Sequence, residues 1–210
     1  MSARDDILAA LRVGAANRRA SASASDPVLP ARATGDAIAL RDRFVEMARF
    51  AGASVGSAVA AGIPAAISAY LSKERLGDRV VLAPEPALVS LPWRSAPRLE
   101  VRTGVPGPED RVSVTAAIAG AAETGSLLVS SGSRTANAAH VLCETHIAVL
   151  PAGDIVGGYE AALSRLRGDG GAMPRAATFI TGPSRTADIE KTPQIGVHGP
   201  KRLHILLVDE

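Results

Sequence analysis

The feature that most constrains this chain is an alternation of helical and extended segments, each too apolar on one side to stand alone. Asp36 to Phe50 places Ile38, Phe44, Val45 and Met47 between charges at helical spacing. Ala53 to Ala60 is a short strand. Pro64 sits at the first position of a helix that Ala65 to Leu76 continues to a Gly77 stop, and Arg79 to Ala83 is a strand again. Helix, strand, helix, strand implies crossover connections, and therefore a mostly parallel sheet flanked by helices. The expected class is α/β, as a single domain.

The remaining chain adds strands at 111–115, 126–131, 145–150, 176–180 and 203–209, and helices at 138–142 and 159–166. Pro84 to Gly107 is rich in proline and predicted irregular, with Trp93 either an anchor on the core or a pocket wall. Residues 3–17 form an amphipathic helix with Ser2 as N-cap and Ile7, Leu8 and Leu11 on one face. A Ser/Ala/Pro-rich stretch follows. The expected organisation is therefore an N-terminal helical arm and linker over 1–35 and an α/β domain over 36–210. The arm docks either on a neighbouring subunit or on its own domain.

Composition narrows the function classes. The chain of 210 residues is 47% hydrophobic but only 3% aromatic, so Ala, Val, Leu and Ile must build the core. A net charge of +2 with no Lys/Arg run gives no support to a nucleic-acid partner. The single cysteine, Cys143, excludes an internal disulfide and a four-cysteine iron–sulfur site, and in its apolar run it is a small core residue. Arg4, Asp5 and Asp6 interrupt any signal-peptide pattern, and no apolar run is long enough to span a bilayer. The expected location is cytoplasmic. The histidines at 140, 146, 198 and 204 have no metal-ligand spacing, so no metal is predicted.

Three glycine turns carry the candidate chemistry. In TFITGPSRTADIEKTPQIGVHGPKRLH a strand breaks at Gly182 and Pro183, and at most two helical turns fit between Ser184 and Pro193. Free N–H groups at such a helix start, with Arg185 beside them, would hold a carboxylate or phosphate. The same residues also suit a plain capped turn in which Arg185 pairs with Asp188 or Glu190. No Walker loop is present, no GxGxxG follows a predicted strand, and no GxSxG elbow surrounds Ser184. AAETGSLLVSSG sets Glu123 beside Thr124 and Gly125, either as a reactive carboxylate or as a cap of local N–H groups. His198 is either a general base or the side chain that holds its own turn. A further polar turn over 132–137 carries Arg134 as another anion contact.

TGPSRTADIE followed by GVHGP and LHILL resembles the C-terminal signature of the LutC/YkgG family, the LUD-domain proteins of lactate utilisation. AAETGSLLVSSG and THIAVLPAGDIV resemble it too, so the likeness runs from about Val112 to the end. The resemblance implies a fold like the NagB/RpiA/CoA-transferase group. It also implies a non-redox component of an L-lactate to pyruvate oxidation system, with iron–sulfur clusters only on partner proteins and no cofactor in this chain. No catalytic residue is assigned; the candidates are Glu123 and His198. The expected ligand or anion site is Thr124, Gly125, Gly182, Pro183, Ser184, Arg185, Thr186, Asp188 and Gly199, gathered in one cleft. The alternative is an independent enzyme on a CoA-transferase-like fold, acting on an acyl or phosphoryl substrate through Glu123 and the 182–186 loop.

Overall fold

A computed structural model describes residues 3–19, 29–131, 137–167, 174, 176–186 and 194–209. Among these, six parallel strands form the central sheet: β1 (Ser54–Val59), β2 (Arg79–Leu82), β3 (Glu100–Thr103), β4 (Val112–Ala116), β7 (Thr145–Pro151) and β12 (Arg202–Asp209). Their spatial order is β1-β12-β7-β4-β2-β3, with every neighbouring pair parallel. The expected α/β class with a parallel sheet and covering helices is what forms.

The covering helices are α2 (Ala37–Phe50) and α3 (Ile63–Glu74). Asp36 caps α2 by accepting from the Ala39 N–H at 2.8 Å, which satisfies one orphan donor of the first turn. Pro64 opens α3 as expected, but the helix ends at Glu74, with Arg75 rather than Gly77 as its left-handed cap. The N-terminal helix, α1 (Ala3–Arg19), leaves Ile7, Leu8 and Leu11 exposed; Ser2, its expected cap, lies outside the described residues.

Strand periodicity divides the core in two. Along β12, Leu203, Ile205 and Leu207 point to one face and Leu206 to the other, because successive side chains alternate across a sheet. β7 does the same, with Ala148 and Leu150 opposite Ile147 and Val149. One face packs on Ile67 and Leu71 of α3 and on Leu82 and Leu88. The other packs on Phe44 and Ala48 of α2 and on Leu127 and Val129.

Those last two residues belong to a second sheet, which the expectation of one mostly parallel sheet did not contain. It is built from β5 (Ala119–Ala121), β6 (Ser126–Ser131), β8 (Ile155–Val156) and β9 (Ala176–Ile180), in the order β8-β5-β6-β9. β6 runs antiparallel to both β5 and β9. The chain makes two excursions to this sheet, one between β4 and β7 and one between β7 and β12. Helix α6 (Tyr159–Arg167) covers its outer face, where Ala119, Leu128 and Ala162 are buried with Phe179 alongside. Between β6 and β7 lies the short helix α5 (Ala138–Val141).

Two further differences have local causes. The stretch predicted irregular contains β3 and the short helix α4 (Pro86–Val89). Trp93 nevertheless anchors as expected, donating from its indole N–H to the Leu88 carbonyl at 2.8 Å. Ser184 onward does not begin a helix. Arg185–Thr186 is β10, paired antiparallel with β11 (Gln194–Ile195), because the Ser184 N–H donates to the Pro200 carbonyl and the Gly196 N–H to the Ser184 carbonyl, both at 2.9 Å. No helix is long and apolar enough to cross a membrane among the described residues.

Candidate functional site

The ribbon closes one side of a cavity of about 490 Å³. Its floor and walls come from Phe179 to Arg185, from His198, Gly199 and Pro200, from Ala51 after α2, and from His140 and Val141 of α5. Ala51, Pro200 and His140 precede β1, β12 and β7 respectively, so the cavity lies at the amino ends of those strands. Open α/β sheets generally bind ligands at the carboxyl ends. Here the second sheet creates a site elsewhere, by bringing the end of β9 against the entry to β1 and β12.

Gly182 makes that approach possible. Its φ is +72°, and an added Cβ would meet the Ala51 carbonyl group, so a side chain would be excluded by both backbone conformation and space. Gly199 lies flat on Ser184, with its virtual Cβ 3.3 Å from the Ser184 Cβ. The Arg185 guanidinium extends over Gly52, into the space that a Cβ there would fill. This places a fixed positive charge just beyond the C-terminus of α2, where the helix dipole favours a cation. Thr186 is half-buried in β10, and Asp188 and Glu190, the two partners of Arg185 in the capped-turn alternative, lie outside the described residues, as does Arg134. Among the described residues no helix starts at Ser184, and the polar groups on this wall include the Arg185 guanidinium and the Ser184 and Thr181 hydroxyls.

His198 is exposed on the rim. His140, on the opposite wall, is only 3% exposed, and neither ring nitrogen meets a partner in hydrogen-bonding geometry among the described residues. Burial lowers its pKa, against smaller opposing effects of the Ser130 backbone and the Glu85 charge. It therefore stands neutral, edge-on to buried His146 at 5.6 Å between ring centres.

The 123–125 turn is not part of the cavity lining but joins it through a cluster of hydroxyls. Gly125, at φ +66°, tucks against the Met47–Ala48 backbone of α2, which turns the chain sharply into β6. The Thr124 hydroxyl then lies 2.7 Å from that of Ser126. Ser126 is fully buried and also reaches the Thr181 hydroxyl at 2.5 Å and the Tyr159 phenol at 3.1 Å. Burial pushes the Tyr159 phenol up, but the Ser126, Thr124 and Thr181 hydroxyls together outweigh it and leave the pKa below its ordinary value. Thr181 borders the cavity and Glu123, Thr124 and Gly125 do not, so the cluster runs from the 123–125 turn to the cavity edge without placing that turn in the lining.

Glu123 itself is half-buried. Its backbone N–H donates to the Gly157 carbonyl at 2.9 Å, and its carboxylate flanks Gly158 together with that of Glu160. Cys143 is buried, with its thiol pKa pushed up by that burial, in keeping with a core residue. Tyr159, Thr181 and His140 were absent from the sequence-derived site, and Ser126 belonged to it only as the last residue of the 123–126 turn. Only Thr181 had a local signal, as the residue that precedes the Gly182–Pro183 break.

Other cavities have less suitable chemistry. One of about 460 Å³ at the β2–β3 edge is lined by Arg79, Glu100, Arg102 and Asp110, whose charges pair with one another. Another, of about 570 Å³, is an open groove between α2 and β1.

Residues 111–208 match the family model of the LUD domain. Over 92 residues the chain is 35% identical to "Lactate utilization protein C" of Geobacillus kaustophilus (strain HTA426) and 34% identical to the protein of that name from Bacillus subtilis (strain 168). Each match covers 42% of this chain and 38% of the relative, so the likeness spans less than two fifths of those proteins. A crystal structure of a DUF162 family protein from Deinococcus radiodurans superposes with a TM-score of 0.58 at 21% identity, over 84% of this chain and all of that one. That likeness concerns the fold. It extends the shared architecture well beyond the segment matched in sequence.

Proposed function

We propose that this chain, as a LUD-domain protein of the LutC/YkgG family, serves lactate utilisation. Its part is that of a non-redox component of L-lactate to pyruvate oxidation, acting with iron–sulfur partner proteins that carry the electrons. Within that system the cavity between β9 and the 198–200 turn binds a small carboxylate. The observation that carries this reading is the convergence of Arg185, Ser184, Thr181 and His198 on one cavity within the matched segment. Arg185 supplies a planar cation for the carboxylate. Phe179, Ile180 and Val141 supply apolar contacts for a short carbon chain. One cysteine leaves this sequence unable to hold a four-cysteine cluster alone, which is why the electron-carrying groups are assigned to partners.

The test is lactate-dependent reduction of an electron acceptor by the iron–sulfur partners, without this chain, with it, and with Arg185→Ala. The expected result is activity that needs the wild-type chain and falls at least about tenfold with the variant, the scale of a lost charged hydrogen bond. The circular dichroism spectrum of the variant should match the wild type. Equal rates with and without the chain would overturn the assignment. Attention would then turn to an independent activity on an acyl or phosphoryl substrate through Glu123, tested by trapping an acyl-CoA on that carboxylate.

A further inference from the structure

The hydroxyl cluster beside the cavity has a hydrogen count that bears on what the site recognises. Thr124, Ser126, Tyr159 and Thr181 bring four hydroxyl hydrogens together. Ser126, at the hub, makes all three of the short contacts. A hydroxyl donates one hydrogen and accepts two, so three contacts saturate Ser126. The three contacts of Ser126 use three of the four hydrogens, and rotation of the O–H bonds decides whether the fourth meets Tyr159, which also reaches Thr124 and Thr181, or points out of the cluster. Ser126 is fully buried and Thr124 and Tyr159 are half-buried, whereas Thr181 is exposed on the cavity wall. Thr181 is therefore the member that meets a ligand.

From this geometry we infer that Thr181 reads the oxygen on the 2-carbon of a small carboxylate, and that it accepts the hydroxy acid and the oxo acid alike. The inference rests on the carboxylate reading of the cavity given above. When Ser126 donates to Thr181, and Thr124 and Tyr159 donate to Ser126, the spare hydrogen belongs to Thr181 and can bond a ligand carbonyl. When Thr181 instead donates to Ser126, and Ser126 passes its own hydrogen to Thr124 or Tyr159, Thr181 has a lone pair for a ligand hydroxyl. The two states differ only by rotation of O–H bonds; no heavy atom moves. A site of this kind tolerates both members of a 2-hydroxy/2-oxo pair and discriminates against an acid that has no oxygen at that carbon. A site with a fixed donor, such as a backbone N–H, would favour the oxo acid. Ser126 is a positioning residue here, since it touches Thr181 and not the ligand.

The experiment is calorimetric titration of the full chain with L-lactate, pyruvate, propionate and inorganic phosphate. Lactate and pyruvate should bind with comparable affinity and propionate about tenfold more weakly, the worth of one uncharged hydrogen bond. Thr181→Val keeps the shape at an exposed position, and should bring lactate and pyruvate to the affinity of propionate while leaving propionate unchanged. Ser126→Ala should narrow the same ratio by freeing the Thr181 hydroxyl; a loss of stability alone would leave the ratio intact. If wild type binds propionate as tightly as lactate, or Thr181→Val preserves the preference, the inference is overturned while the carboxylate site stands. Phosphate binding without any carboxylate binding would overturn the site reading itself, and this inference with it.

Discussion

Lowering the pH from about 7 to about 5 should destabilise this fold through histidines that have no room for a charge. His146 is fully buried, with its pKa held down at about 3 by burial and then by His140. His204, at 7% exposure, is held at about 4 by burial and then by the Lys73 charge. It is stacked on Tyr70 at 3.8 Å and bonded to Ser54 through Nδ1 at 2.8 Å. A folded-state value below the unfolded one means that the unfolded chain binds the proton first. Stability is then complete above about pH 6.5 and falls as the pH drops below that value, until the folded-state values near 4 and 3 are reached. Over the stated interval each of the two costs about 2 kcal/mol, so together about 4 kcal/mol, a large part of the 5–15 kcal/mol of a typical domain. His140 acts in the same direction. Asp110 and Glu144, whose pKa values are lowered, act only further down, below the usual carboxylate range. Urea unfolding followed by far-ultraviolet circular dichroism at several pH values would measure the slope. The variant His146→Gln should lose about half of the two-histidine effect. Stability constant to within about 1 kcal/mol over this range, or an unchanged slope in the variant, would refute the reasoning.

Two other perturbations follow from the geometry. Gly125→Ala should destabilise by about 2–3 kcal/mol, because the position has a left-handed backbone and its Cβ would strike the Ala48 Cα and N; a melting temperature within two or so degrees of wild type would contradict it. Cys143 should resist thiol reagents in the folded protein and react fully in denaturant, given its burial and raised pKa. Rapid native labelling would show that the β7 entry opens readily.

How much of this was legible in the sequence depended on where the information lay. The strands β7 and β12 announced themselves because they are buried on both faces, so nearly every residue is apolar. β3 did not: it is a sheet edge, with Glu100 and Arg102 flanking its one inward valine, Val101. β5 is three small residues, and its position is set by Gly120, whose missing side chain lets Phe44 and Leu150 close over it. No periodicity could reveal that second sheet. At the site, Arg185, Ser184 and His198 were legible as one motif, but the helix assumed between them was overruled by backbone pairing between Ser184 and Pro200. The Ser126–Tyr159–Thr181 cluster was hidden because its members lie 33 and 55 residues from Ser126 along the chain and meet only across β6, β9 and α6.

The place of β12 in the central sheet has a consequence for synthesis. β12 separates β1 from every other strand, and its partner Ser54 stands 150 residues before His204. A nascent chain can assemble β2, β3, β4 and β7 as it emerges, but β1 has no neighbour to pair with until β12 has cleared the ribosome tunnel. Until that moment one edge of β7 lacks its partner strand, and α2 is covered by β6 and β7 but not by Leu203, Ile205 and Leu207. A pause in translation just before β12 would thus lengthen the most aggregation-prone interval in the life of the molecule.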